Sequence, residues 1–99
     1  MNTLTLEHDP LAVALSFTDK IMTVELADGR SLSVPISWYP RLYHATTAER
    51  ANWRLLGNGY AIEWPNLDEH VSLTGLLAGN RSGESHVSFN RWLATRSGG

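Results

Sequence analysis

The stretch IMTVELADGRSLSVP, residues 21–35, contains the strongest local folding signal in the chain. Asp28 and Gly29 lie between two runs in which apolar and polar residues alternate. An Asp-Gly pair favours a type I′ turn, because both of its central residues need a positive φ. Alternation with a period of two places every second side chain on one face of a strand. The stretch therefore predicts a β-hairpin whose inward residues are Met22, Val24, Leu26, Leu32 and Val34.

The hairpin extends upstream by one more strand. Residues 13–17, VALSF, alternate well enough to form a strand, and Asp19 with Lys20 provides a tight reversal into the next run. Downstream, Pro35 cannot donate to a β-ladder, so it marks the end of the last strand or an edge position. The first third of the chain is therefore predicted to be a three-stranded antiparallel meander.

Short helices are predicted after the meander. Pro40 suits the first turn of a helix, because its missing N–H has no helical partner there. Thr46 and Glu49 have the spacing of a capping box, which predicts a helix over about residues 47–52. A further helix is expected near residues 73–77, where the apolar residues recur at i, i+3 and i+4 and Gly79 follows as a C-cap.

A second hairpin is predicted between these helices. Residues 53–56 and 60–64 are strand-like, and a Gly-Asn-Gly turn separates them. The order of elements is typical of a small α+β domain. Its sheet comprises the meander and the later hairpin, with two or three short helices. The predicted organisation is a loose arm over 1–11, one α+β domain over 12–79, a polar linker over 80–87, an amphipathic helix over 88–96 that Ser88 caps, and a tail over 97–99.

Composition excludes several classes of protein. The chain has 99 residues, which suits one domain, and no cysteine, which excludes disulfides, thiolate metal sites and a thiol nucleophile. No apolar run approaches the length of a membrane span, and the N-terminus lacks the basic and apolar regions of a signal peptide. Cytoplasmic residence is therefore expected.

The segment SWYPRLY, residues 37–43, combines three aromatic rings with an arginine. We expect Trp38 and Leu42 to point inward, and Tyr39 and Arg41 to be exposed to solvent. The surrounding residues 30–54 contain four arginines against one acid, in a chain whose net charge is −2. Aromatic and arginine side chains dominate many binding sites. The predicted partner-binding residues of this part of the chain are Trp38, Tyr39, Arg41, Tyr43, Arg50 and Arg54.

The C-terminal helix is the second candidate for binding. Phe89, Trp92 and Leu93 lie on one face at helical spacing, and an amphipathic helix can lie in a groove of a partner protein. The alternative is that this face folds back onto the chain's own core, since a small domain needs every aromatic residue that it can bury.

Several motifs occur in an order that resembles the bacterial family known as domain of unknown function 2442, over roughly residues 13–79. The matching blocks are Asp28-Gly29-Arg30, the residues PISWYPRL at 35–42, Ala45-Thr46 with Arg50, Ile62-Glu63-Trp64-Pro65 with Leu67-Asp68-Glu69, and Leu76-Leu77. The resemblance implies a small α+β protein without an established activity. Some members carry an appended helix-turn-helix, which this chain lacks. Many occur beside another small protein, in arrangements that resemble toxin–antitoxin pairs.

Catalytic and metal chemistry find little support in the sequence. The four histidines are far apart, and none of them forms the i, i+4 pair of a helical metal motif. Glu63, Asp68, Glu69 and His70 are close in sequence, but Asp68 and Glu69 fit better as acids at the N-terminus of a helix. No nucleophile is paired with a base. We expect neither an enzyme nor a bound metal or cofactor.

The sequence therefore favours a non-enzymatic protein-binding module. Its partner would be a small protein encoded nearby, in an antitoxin-like or regulatory role, or a second copy of the chain in a homo-oligomer. The alternative is a nucleic-acid-associated regulator that acts through the basic aromatic segment 30–54. The acidic remainder of the chain and the pI of about 6.0 disfavour it. No membrane partner is expected.

Overall fold

The first sheet of the computed structural model, which describes residues 10–97, is the predicted meander. Its strands are β1 (Ala12–Phe17), β2 (Ile21–Leu26) and β3 (Ser31–Pro35), in the order β1-β2-β3. Both pairings are antiparallel. The predicted type I′ turn was wrong, because Gly29 has a φ of 95° but Asp28 does not have the positive φ that this turn requires. The amide of Gly29 instead donates to the carbonyl oxygen of Leu26 at 3.0 Å, which places Asp28 inside the turn and Gly29 at its end. The predicted arm and tail lie almost entirely outside the described residues.

The second sheet contains the predicted hairpin and one strand more. Its strands are β4 (Arg54–Leu56), β5 (Ala61–Trp64) and β6 (Glu69–Ser72), all antiparallel in the order β4-β5-β6. The chain reverses between β5 and β6 through a 3₁₀ turn at Pro65–Leu67, which Asp68 ends with a φ of 51°. The placement of Asp68 and Glu69 at the N-terminus of a helix was therefore wrong, because these residues complete a turn and begin a strand.

One close backbone contact joins the two sheets. The amide of Ala12 at the start of β1 donates to the carbonyl oxygen of Gly59 at 2.8 Å. Gly59 has a φ of 108°, and a Cβ at this position would lie 2.2 Å from the Ala12 carbonyl oxygen. Glycine is required here for both reasons, since other residues avoid this φ and have no room for their side chain.

In the described residues, three short α-helices connect and flank the sheets and a longer C-terminal α-helix follows them, in agreement with the prediction. They are α1 (Pro40–Tyr43), α2 (Thr47–Ala51), α3 (Leu73–Leu77) and α4 (His86–Ser97), and a 3₁₀ turn at Ile36–Trp38 precedes α1. Both halves of the predicted capping box at Thr46 and Glu49 are present. Helix α4 begins earlier than predicted, at His86. Ser85, and not Ser88, occupies the capping position, where its Oγ accepts from the amide of Ser88 at 3.1 Å.

The core lies between the sheets and the short helices, and the predicted α+β class is confirmed. The inward residues predicted for β2 are all buried, and Val34 of β3 is buried with them, whereas Leu32 is half-buried. The buried cluster contains side chains from both sheets and from the helices, among them Met22, Ile36, Leu42, Ile62, Trp64, Leu67 and Leu73. Within residues 10–97, no helix has the length and apolar character needed to cross a membrane.

Candidate protein-interaction site

Tyr39 of the SWYPRLY segment belongs to the core. Its side chain is buried, and its hydroxyl donates to the carbonyl oxygen of Asn80 at 2.9 Å. Burial raises the pKa of the Tyr39 phenol. Leu42 is buried as predicted, and Trp38 is half-buried. The expectation of an exposed Tyr39 was wrong, because the segment after α3 returns over this ring and supplies its hydrogen-bond acceptor.

Arg41 is also held inside the molecule. Its Nε and Nη2 donate to the carboxylate of Glu84, at 2.9 and 2.5 Å, and its Nη1 donates to the carbonyl oxygen of Leu67 at 2.9 Å. Only 14% of the Arg41 side chain is exposed, so the expected solvent-exposed position was wrong. The Arg41 guanidinium lowers the pKa of the Glu84 carboxyl. This two-point pairing connects α1 to the segment that leads into α4.

The segment 80–85, predicted as part of a polar linker, makes further contacts with α1 and the turn before it. The amide of Ser82 donates to the carbonyl oxygen of Trp38 at 3.0 Å. The guanidinium carbon of Arg81 lies 4.9 Å from the centre of a Trp38 ring, which is a cation–π distance. These contacts direct the chain so that α4 begins beside α1.

Helix α4 is fixed to the rest of the chain by an alternating stack of charged and aromatic groups. Trp92 packs against the core and has two guanidinium groups at cation–π distance, with Arg41 at 5.2 Å and Arg96 at 4.6 Å from its ring centre. Arg96 in turn donates to both carboxylate oxygens of Glu49, at 2.7 and 2.9 Å. The order along the stack is Glu84, Arg41, Trp92, Arg96 and Glu49. Trp92 therefore contacts its own domain, as the alternative interpretation of this helix expected.

Glu49 has two roles at the end of this stack. Besides pairing with Arg96, its Oε1 accepts from the amide of Thr46 at 2.8 Å, which is half of the capping box of α2. The Arg96 hydrogen bonds, with a smaller contribution from Thr46, lower the pKa of Glu49 to about 2. One carboxylate thus stabilises the start of α2 and the end of α4.

The docking of α4 creates a continuous row of four rings on the surface. Tyr43 contacts His44 with ring centres 5.4 Å apart, His44 contacts Phe89 at 5.3 Å, and Phe89 stacks on Trp92 at 5.8 Å. We call Tyr43, His44, Phe89 and Trp92 the aromatic row. Tyr43 is 51% exposed and His44 is exposed, whereas Phe89 and Trp92 are half-buried. The structure therefore brings together predicted binding residues from the SWYPRLY segment and from the C-terminal helix.

The remaining predicted residues lie in different places. Leu93 is half-buried on α4. Arg50 donates through Nε to the carbonyl oxygen of Leu42 at 2.8 Å and through Nη2 to that of Tyr43 at 2.9 Å, so it supports the end of α1 beside the row. Arg54 lies in β4 and pairs with Glu63 of β5. The predicted patch of aromatic and arginine residues is therefore reduced to Tyr43 and Arg50.

A polar cleft of about 370 Å³ lies on another part of the surface, between β6 and residues 80–84. Its walls include the Arg41–Glu84 pair and Glu69, whose pKa is raised by burial. Within the cleft, Arg41 is engaged by Glu84 and by the carbonyl oxygen of Leu67. In the part of the chain that the structure describes, no three histidine, aspartate or glutamate side chains converge as metal ligands would.

Most of the chain, up to the segment that leads into α4, matches a known protein family. The family described as "Protein of unknown function (DUF2442)" matches residues 12–82, which is most of the chain and agrees with the predicted resemblance. The chain belongs to the DUF2442 family. The match ends at Ser82, so the family region includes Tyr43 and His44, while Phe89 and Trp92 of α4 lie beyond it.

Two solved structures share the fold of this DUF2442 protein. A crystallised protein of unknown function from Rhodospirillum rubrum is 26% identical, with a TM-score of 0.68 over 78% of this chain and 95% of that one. An uncharacterised protein from Chromobacterium violaceum, solved by solution NMR, is 24% identical, with a TM-score of 0.64 over 87% of this chain and 75% of its own. No curated protein matches the chain.

Sequence reasoning missed His44, Glu49 and Glu84 as parts of the site. His44 directly follows Tyr43, but its contact with Phe89 depends on a residue 45 positions away. Glu84 and Arg41 are likewise separated by 43 residues. Glu49 was recognised for its capping box, and that local pattern contains no sign of its pairing with Arg96.

Proposed function

We propose that this DUF2442 protein is a non-enzymatic protein-binding module that contacts a partner protein through the aromatic row. The observation that carries the proposal is the row itself, in which half-exposed and half-buried rings lie in continuous contact. Tyrosine, tryptophan and arginine are the side chains that contribute most to protein interfaces. A partner that covers Tyr43 and His44 would bury aromatic surface on rings that the packing beneath already orders. Less conformational entropy is then lost on binding.

The charge distribution favours a protein over a nucleic acid as the partner. Three of the four arginines in segment 30–54 pair with acids of the same chain, and those pairs are Arg30 with Asp28, Arg41 with Glu84, and Arg54 with Glu63. The fourth, Arg50, donates to two backbone carbonyl oxygens. Binding of a polyanion depends on cations that are free to replace counterions at phosphates. The proposed partner is therefore a protein, and an antitoxin-like or regulatory role with a small neighbour-encoded protein is the form we propose to test first.

The test is co-expression with each small protein that a neighbouring gene encodes, followed by measurement of the Kd of any purified complex. We expect Tyr43→Ala to raise the Kd at least about tenfold, since truncation of a hot-spot residue costs about 2 kcal/mol or more. Tyr60→Ala is the matched control, because Tyr60 is 53% exposed against 51% for Tyr43 and lies outside the row. A neighbour that does not bind, or equal effects of the two substitutions, would refute the proposal.

A further inference from the structure

The free edge of β1 differs from the other strand edges in the described part of the chain. Native proteins protect edge strands with proline, charged residues or short length, because unpaired backbone groups recruit other strands. β3 ends in Pro35, β4 has three residues and begins with Arg54, and β6 has four residues. In β6 the Glu69 carboxylate also accepts the amide of His70 at 3.0 Å. β1 has six residues, AVALSF, without a charge or a proline, and among the described residues only its first, Ala12, bonds to another part of the chain at this edge, through Gly59.

The backbone of β1 presents regular hydrogen-bonding groups at this edge. The amide of Thr18 donates to the carbonyl oxygen of Ile21, and bonded and non-bonded pairs alternate along an antiparallel ladder. Residues 14 and 16 therefore bond to β2, whereas Leu15 and Phe17 direct their N–H and C=O groups outward. The bulge in β1 lies between Ala12 and Ala14, so residues 14–17 remain regular.

An apolar groove of about 370 Å³ runs beside these outward groups. Leu15 and Phe17 of β1 line it together with residues of α2 and its surroundings, and two charged residues also contribute: Thr47, Ala51 and Trp53, with Asp19 and Arg50. We call it the β1 groove. In a strand added at this edge, the residues directly opposite Leu15 and Phe17 would lie on the same face of the sheet as these two side chains. Their side chains would therefore enter the groove. The groove is thus suited to a strand with apolar residues at alternate positions.

We propose that two copies of this chain pair through the free edges of β1, antiparallel, with Ser16 of each copy opposite Ser16 of the other. In this register Leu15 of each copy pairs with Phe17 of the second copy, and both pairs are hydrogen-bonded, which gives four backbone bonds. Each copy supplies the alternating apolar side chains that the other copy's groove accepts. Identical strands often repel through their charges, but residues 12–17 carry none.

The proposed register can be tested with an engineered disulfide, because the natural chain has no cysteine that would compete. Ser16→Cys places one thiol on each side of the two-fold axis, in a non-hydrogen-bonded pair whose side chains are close enough to form a disulfide. We expect mild oxidation to convert this variant into a covalent dimer. Ser33→Cys is the control, since Ser33 is exposed in the same cross-strand row but on the opposite edge strand. Equal cross-linking of the two variants would overturn the proposal.

The non-covalent dimer is tested by sedimentation equilibrium of the full chain at sub-millimolar concentration. Ser16→Lys places like charges opposite each other, so we expect the dimer Kd to rise about tenfold or more, whereas Ser33→Lys leaves it unchanged. An equimolar mixture of Ser16→Lys and Ser16→Glu should restore the dimer, which a folding defect would not allow. A monomeric natural chain, or a dimer that these charges do not affect, would overturn the inference. Tyr43→Ala changes a different surface. The result of the dimer experiment is therefore independent of the result for the aromatic row.

Discussion

At the scale of single residues, Glu49 shows how a local motif becomes part of a distant contact. Thr46 and Glu49 form a capping box that can be recognised from four consecutive residues. The same carboxylate then receives both terminal nitrogens of Arg96, 47 positions away. The sequence therefore predicted the capping role of Glu49 correctly. It could not predict the ion pair, because that pair exists only when α4 is docked.

We expect Glu49→Gln to lower the free energy of unfolding by about 1 kcal/mol at neutral pH, since glutamine preserves the capping box but not the ion pair. The pKa of Glu49 is about 2 in the folded chain and 4.5 ordinarily, so its stabilisation is complete above pH 4.5 and is lost as the pH falls towards 2. The difference between the two proteins should shrink over that range. Urea denaturation at several pH values measures it, and a difference that does not depend on pH would contradict the assignment.

Gly59 provides a second test at this scale. Gly59→Ala introduces a Cβ 2.2 Å from the Ala12 carbonyl oxygen at a φ of 108°, whereas Gly29→Ala meets no atom within 4 Å at a φ of 95°. Both substitutions strain the backbone, at a cost of about 1–2 kcal/mol. We expect Gly59→Ala to cost clearly more, because it also separates the two sheets. Thermal unfolding compares them, and equal losses would show that the contact between Ala12 and Gly59 is unimportant.

At the scale of secondary-structure elements, local signals predicted the meander, the second hairpin and the short helices. The Asp28-Gly29 turn and the alternation around it are short-range features, so the sequence reveals them directly. Strand β6 was missed because three of its four residues, EHVS, are charged or polar and only Val71 is buried. Its pairing with β5 depends on the turn at Pro65–Asp68, where Asp68 adopts a positive φ that its sequence does not demand.

Helix α4 is held by Trp92 and by ion pairs more than by a wide apolar face. We expect Trp92→Ala to lower the free energy of unfolding by about 2 kcal/mol, less than a fully buried tryptophan would, since the ring is only half-buried. Val87→Ala on the same helix should have little effect, because Val87 is 67% exposed. Chemical denaturation measures both. A Trp92 variant as stable as the natural chain would contradict the docked position of α4.

At the scale of the whole molecule, ion pairs within the chain engage most of the arginines that make segment 30–54 basic. The sequence shows four arginines in segment 30–54 and few acids beside them. Folding brings Glu84 and Glu63 to two of these arginines from other parts of the chain, and a third pairs with the adjacent Asp28. Three of the four positive charges in this segment are therefore paired with acids in the fold.

This pairing predicts weak interaction with nucleic acids. We expect the chain to show no salt-dependent binding to single- or double-stranded oligonucleotides, because few of its arginines are free to contact phosphates. Fluorescence anisotropy over a range of salt concentrations measures this. Affinity that falls steeply as salt increases would support the alternative of a nucleic-acid-associated regulator and would count against the protein-binding account.

The most direct test of the central claim is an NMR map of the complex with the neighbour-encoded protein. The aromatic side-chain signals of Tyr43, His44 and Phe89 should shift most on binding, and those of Tyr60 should remain in place, because it lies outside the aromatic row. The account is contradicted if the signals of the row are unchanged while the complex forms, since the partner would then bind to another surface.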